Sequence, residues 1–211
     1  MILKYIIMVI FSVSQTIEEE MDKYKLRRPN DIYLFSNIFS DDMCNKLIDY
    51  TNKNVRTKTK IGQGENVRCC EEYITRGHSF HNHVTSKLVD IGRFVCKKYM
   101  IPFGGYGCCD MDGVVIRKIH GPTRLHTDGP LYTMRNDGPY VQVKTLRSLS
   151  VIIALNSDYD GGEIVFPCQK FKTKLKQGEA IAFPPYWTHP HYTEDLKNNT
   201  FRYTISTWLR L

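Results

Sequence analysis

Apolar positions recur in two rhythms along this chain, and the change comes near Gly113. Before it, the spacing is helical. Val84, Leu88, Ile91 and Val95 stand at i, i+4, i+7 and i+11, one stripe of a helix predicted over about Ser79 to Tyr99. Met43, Leu47 and Ile48 keep a similar period behind Ser40, whose hydroxyl can cap a first turn. Asp31 to Phe39 reads as a strand running into a turn, and the polar, basic stretch Asn52 to Gln63 reads as loop. After Gly113 the pattern shortens to strands, predicted at Val114–Ile119, Leu149–Leu155, Glu163–Pro167, Ala180–Phe183, Trp187–Tyr192 and Phe201–Leu209. Asp160-Gly161-Gly162, Gln177-Gly178 and Pro184-Pro185 divide them. Helices first and many short strands afterwards predict an α+β chain whose second half is a jelly-roll, cupin-like barrel.

The N-terminus stands apart. Lys4, the apolar run Ile6 to Phe11 and the small-x-small step Ser12-Val13-Ser14 have the form of a signal peptide. The same residues also fit a buried first strand. The apolar run is far shorter than the ~20 residues of a membrane helix, so no membrane span is expected. Residues 1–30 are therefore read as a signal peptide or tether, and 31–211 as one domain with its barrel core from about 110. Cleavage after the first residues would place the protein in the secretory pathway; otherwise the expectation is cytoplasmic.

Composition narrows the chemistry only slightly. The net charge of +7 suits an anionic co-substrate, an acidic surface or nucleic acid, and chooses among none of them. Seven cysteines, with no Cys-x-x-Cys, do not suggest a structural zinc site. Asn198-Asn199-Thr200 is a glycosylation sequon that matters only in a secreted protein. His78, His81 and His83 lie close together without a carboxylate or thiol at ligand spacing, and read as helix-start histidines. The glycine-rich run Phe103 to Gly107 lacks the strand–loop–helix context of a phosphate site.

Leu125-His126-Thr127-Asp128 carries stronger chemistry. In extended backbone, His126 and Asp128 leave the same face and can reach one metal. With a distant third histidine they would form a 2-His-1-carboxylate set, which leaves three positions open and favours non-haem Fe(II). His189 and His191 are both candidates, two apart on one predicted strand. On the last strand Arg202, Thr204, Ser206 and Trp208 share one face, and Tyr203, Ile205, Thr207 and Leu209 the other. An arginine pointing into a barrel needs an anion, either an internal Asp or Glu or a bound carboxylate.

In order, His126-Thr127-Asp128, Leu155-Asn156, Gly161-Gly162-Glu163, Phe166, Gly178, Phe183-Pro184, Thr188-His189-Pro190-His191 and Arg202-Tyr203 resemble the 2-oxoglutarate- and Fe(II)-dependent dioxygenases. The nearest flavour is the prolyl 4-hydroxylase and procollagen lysyl hydroxylase group. The resemblance covers about residues 110–210 and implies a double-stranded β-helix supported by N-terminal helices. It further implies Fe(II) on His126, Asp128 and His191, and 2-oxoglutarate held at its far end by Arg202 with Thr204 beside it. The second histidine of the Thr-His-x-His step is the ligand in the lysyl branch, with its basic residue ten positions on. Here Arg202 is eleven positions beyond His191, which places one extra residue in the loop Glu194 to Thr200. His189 then becomes a neighbour or substrate contact. Many members carry a tyrosine on the first barrel strand that touches 2-oxoglutarate; this chain has none there, leaving Tyr132 or Tyr140 as substitutes. The long segment between Asp128 and Ser150 reads as a lid or a surface loop.

The activity implied is hydroxylation of a peptidyl prolyl or lysyl residue by O2, with 2-oxoglutarate decarboxylated to succinate and ascorbate as an auxiliary. The partner would be a peptide or protein substrate; no oligomeric state is implied. Two alternatives are a dioxygenase that dealkylates nucleic acid, although no aromatic and basic recognition lid is evident, and a cupin-like protein that binds without catalysis.

Overall fold

Two facing β-sheets frame the interior of the computed structural model, which describes residues 31–54, 58–59, 68–98, 110–111, 113–129, 131–134, 141–145 and 147–210. The signal-peptide or tether segment, the run 103–107 and Tyr140 lie outside those residues, as does the side chain of Tyr132.

In chain order the elements are β1 (Tyr33–Phe35), α1 (Asp41–Asn54), β2 (Lys58–Thr59), β3 (Arg68–Tyr73), α2 (His81–Lys98), β4 (Asp110–Met111), β5 (Val115–His120) and β6 (Thr123–His126). There follow β7 (Leu131–Met134), β8 (Val141–Thr145), β9 (Leu149–Ala154), β10 (Asp160–Gly161), β11 (Ile164–Phe166) and β12 (Phe171–Thr173). The last four are β13 (Ala180–Phe183), β14 (His191–Thr193), β15 (Leu196–Lys197) and β16 (Arg202–Arg210). The larger sheet runs β1-β13-β9-β16-β5-β3-β2, with β4 also on β16; the smaller runs β12-β11-β14-β6. The chain crosses repeatedly between them: β5 and β9 belong to the larger sheet, β6 and β11 to the smaller. That exchange is the double-stranded β-helix, a jelly roll.

Strict alternation on the central strands builds two separate cores. Val151, Ile153, Tyr203, Ile205, Leu209, Ala180 and Ala182 face outward and pack with Leu47 of α1 and Leu88 and Ile91 of α2. Each of those large aliphatic side chains contributes roughly 1.5–3 kcal/mol by leaving water. The opposite face packs inward: Ile32, Leu34, Ile181 and Phe183 meet Ile164 and Phe166 of the smaller sheet. Helix α1 begins as predicted, with the Met43 N–H donating to Ser40 Oγ at 3.3 Å.

Three expectations need correction. Asn52 to Gln63 is not all loop, since α1 continues to Asn54 and β2 pairs with β3. Strand β3 was not predicted; Arg68-Cys69-Cys70-Glu71-Glu72-Tyr73 has no apolar alternation, and Glu71 is satisfied by Arg117 of the neighbouring strand at 3.0 Å. The predicted strand Trp187–Tyr192 shrinks to a strand beginning at His191. Prolines at 184, 185 and 190 remove ladder donors, and the His189 N–H closes a turn onto the Tyr186 carbonyl. His189 and His191 therefore do not share one strand face. Where described, the long segment after Asp128 contains the antiparallel pair β7–β8.

Candidate metal centre and its cavity

Strand pairing assembles the centre. His126 ends β6 and His191 opens β14, and the two are register partners across the antiparallel ladder. Asp128 lies just beyond β6. The Nε2 of His126 is 3.3 Å from Asp128 Oδ1, and the Nε2 of His191 is 3.8 Å from Oδ2. One ligand atom from each residue lies within 4.8 Å of the others, the one such His/Cys/Asp/Glu group among the described residues.

Local hydrogen bonds fix the tautomers. His126 Nδ1 is 2.8 Å from the Arg124 carbonyl, and His191 Nδ1 is 3.1 Å from the His189 carbonyl. A carbonyl only accepts, so each Nδ1 is protonated, and the neutral form of each ring turns its Nε2 lone pair towards the centre. Asp128 is clamped from three sides. Its N–H donates to the Pro185 carbonyl at 3.0 Å, and its own carbonyl accepts from the Arg147 guanidinium. Ser150, from β9, donates to Oδ2 at 2.6 Å.

Charge follows from these contacts. Burial opposes ionisation of Asp128, but the hydrogen bond to His126, the charge of His191 and the Ser150 hydroxyl outweigh it and hold the carboxyl well below its usual range. Burial also disfavours a charged His126, yet the Asp128 contact and the Arg124 carbonyl carry the net shift upward. Burial dominates at His191 and pushes it down against the pull of Asp128. His191 is boxed by Phe183 and Phe166, with ring centroids 4.7 and 5.5 Å away. Two neutral imidazole nitrogens and one carboxylate make a donor set that fits Fe(II) and leaves coordination positions open.

A cavity of about 310 Å³ runs between the sheets from this group to Arg202. The Arg202 guanidinium is buried, and its Nη1 donates to the Gly162 carbonyl at 2.9 Å. Next to it along β16, Thr204 Oγ1 is buried with no hydrogen-bond partner among the described residues. A buried hydroxyl left unpaired costs roughly 1–3 kcal/mol, so an acceptor entering the cavity would relieve it. A cationic fork beside an unpartnered hydroxyl fits the far carboxylate of a keto diacid. Gly162 makes the arrangement reachable. At φ 69° it adopts a left-handed conformation, and a Cβ there would meet Leu196 Cδ2 at 2.7 Å and the Tyr159 ring at 3.1 Å.

Of the residues singled out in the sequence, His126, Asp128, His191, Arg202 and Thr204 all line this cavity. His189 does not; its Nδ1 is 3.0 Å from Thr188 Oγ1, outside the group. The His78–His83 cluster stands apart, with His78 packed edge-on against Tyr50 at 4.7 Å. Among the lining residues that escaped the sequence reading, three bear on the polar groups of the cavity. Tyr159 is buried beside Arg202, with the Lys174 ammonium 4.4 Å over its ring. Arg147 lies 3.8 Å over the Trp208 ring near the metal centre. Ser150 is the third; its signal was a lone hydroxyl on the inward face of an otherwise apolar strand. Tyr159 had no comparable mark, being one residue of a turn-like Asp158-Tyr159-Asp160 run.

No family model matches this sequence, and no curated protein does. Solved structures do. A viral collagen prolyl hydroxylase from Paramecium bursaria Chlorella virus-1, solved with 2-oxoglutarate, matches with TM-score 0.60 at 20% identity, covering 86% of this chain and 96% of that one. A Pseudomonas putida prolyl-4-hydroxylase matches with TM-score 0.58 at 12% identity, covering 92% of this chain and 97% of that one. A Trichoplax adhaerens prolyl hydroxylase, solved with a hypoxia-inducible-factor peptide fragment, matches with TM-score 0.58 at 13% identity, covering 95% and 91% respectively. These likenesses establish the fold: a double-stranded β-helix of the kind found in prolyl hydroxylases and other 2-oxoglutarate–Fe(II) oxygenases.

Proposed function

We propose that this chain is an Fe(II)- and 2-oxoglutarate-dependent dioxygenase that hydroxylates a prolyl or lysyl residue of a peptide, forming succinate and carbon dioxide from the keto acid. The observation that carries the reading is one cavity with a His126–Asp128–His191 group at one end and buried Arg202 at the other. Neither half alone is decisive. A three-ligand group suits several metals, and a buried arginine is often a structural ion pair. Together they fit a co-substrate with a chelating end and a distant carboxylate.

His126, Asp128 and His191 would hold the metal. When bound, Fe(II) supplies the activation of O2 that amino-acid side chains cannot. The rest is positioning. Arg202, Thr204 and Tyr159 would hold the far carboxylate of 2-oxoglutarate and so fix the direction of its keto-acid end. Phe166, Phe183 and Ile164 exclude water from the inner wall. The Trp208 indole, braced by Arg147, gives the opposite wall a flat apolar surface against which a prolyl ring or lysyl stem can lie. The peptide-bound Trichoplax neighbour supports a peptidyl substrate. Ascorbate belongs to the same reading as an auxiliary.

The test is incubation of the purified protein with Fe(II), 2-oxoglutarate and a panel of proline- and lysine-rich peptides. The expected result is a peptide heavier by one oxygen atom, with matching succinate. A protein that consumes no 2-oxoglutarate under any of these conditions overturns the reading.

A further inference from the structure

Asp128 presents two chemically equivalent oxygens, and the fold makes them inequivalent. Oδ1 faces His126 Nε2 at 3.3 Å. Oδ2 receives the Ser150 hydroxyl at 2.6 Å, a short charge-assisted contact. An ionised carboxylate can only accept, so Ser150 must be the donor. Ser150 is 1% exposed on β9, and its backbone is held between Phe183 of β13 and Trp208 of β16, which fixes where its hydroxyl starts from. The backbone of Asp128 is fixed as well, through Pro185 and Arg147.

We infer that Ser150 is a positioning residue that makes Asp128 a one-oxygen ligand, with Oδ2 occupied by the serine proton and Oδ1 left for the metal. The inference rests on the proposed function. Its consequence is a count of coordination positions. Two imidazoles and one carboxylate oxygen leave three of six open, enough for a keto acid binding through two atoms and for O2. A carboxylate binding through both oxygens would occupy one of the positions that the keto acid needs.

Co(II) is the probe, because its visible absorption reports coordination number. Wild type, Ser150→Ala, Ser150→Thr and Ser150→Cys are titrated with Co(II) alone, then with 2-oxoglutarate. Ser150→Ala should bind Co(II) but show an altered spectrum, and should bind 2-oxoglutarate about tenfold more weakly, the scale of one lost hydrogen bond. Ser150→Thr, which keeps a hydroxyl donor, should return both towards wild type. Ser150→Cys keeps the side-chain volume with a poor donor and should follow the alanine variant, which decides the matter if alanine does not fold. A wild-type spectrum and wild-type 2-oxoglutarate affinity in the alanine and cysteine variants overturn the inference while leaving the proposed function standing. A wild-type protein that binds neither Co(II) nor 2-oxoglutarate overturns both.

Discussion

His126 and His191 face each other across an antiparallel ladder, with ring centroids 4.4 Å apart. Their separation is therefore set by strand spacing, not by loop conformation. A slip of β14 by one residue would turn His191 onto the opposite face of the sheet, because side chains alternate with a period of two. The ladder irregularity between His191 and Thr193 comes directly after this pair.

Removing any of the three ligands should abolish metal binding while the fold persists. His126→Ala, Asp128→Ala and His191→Ala are expected to bind Co(II) too weakly to detect by titration, with circular dichroism unchanged. His189→Ala should retain metal, since the contact that orients His191 comes from the residue 189 backbone carbonyl, which the substitution keeps. Asp128→Glu should lose turnover, because an added methylene moves the carboxylate off the Ser150 donor.

Arg202→Ala should raise the 2-oxoglutarate Kd far more than it affects metal affinity. Loss of a desolvated charge pair costs roughly 2–5 kcal/mol, about thirty-fold to several thousand-fold in Kd. Tyr159→Phe, which removes at most one neutral hydrogen bond, should cost about tenfold or less. Calorimetry with and without metal separates these two ends of the cavity.

Gly162→Ala should destabilise the protein and loosen the co-substrate together. The left-handed φ alone costs of order 1–3 kcal/mol, and the new methyl must also displace Leu196 or Tyr159. The expected signature is a lowered Tm and a raised 2-oxoglutarate Kd, whereas Gly77→Ala, in open space, should change neither.

Cys44 supplies a pH test away from the centre. Burial, with nearby Asp41 adding to it, pushes this thiol from 9.0 up to about 11. The folded state thus keeps the thiol neutral where the unfolded chain ionises it. That contribution is complete below pH 9 and is lost as pH climbs towards about 11. Cys44→Ala should flatten alkaline destabilisation over that window in urea melts. Exposed Cys168 should alkylate in the native protein, while Cys44 should react only after unfolding.

Much of the cavity was legible because its strands obey a period of two. Arg202, Thr204 and Ser206 could be placed on one face of the last strand by counting, and they line the cavity. His126 and Asp128 were legible for the same reason. Tyr159 and Arg147 were not, since neither lies on a strand and the direction of each is fixed by contacts made elsewhere. Gly162 illustrates the limit: its Gly-Gly pair signals a turn, but nothing in that pair reveals that its carbonyl holds Arg202. His189 misled for a local reason. The flanking prolines break the strand that would have aligned it with His191.

The Pro185 carbonyl accepts the N–H groups of both Asp128 and Gly129, and Arg147 reaches back to the Asp128 carbonyl. The stretch that leaves after Gly129 and returns at Arg147 is thereby closed at its base like a purse string. Whatever lies between those two residues can lengthen, shorten or change character without dragging the carboxylate with it. The position of the ligand carboxylate and the length of that stretch are thereby separate variables of the fold.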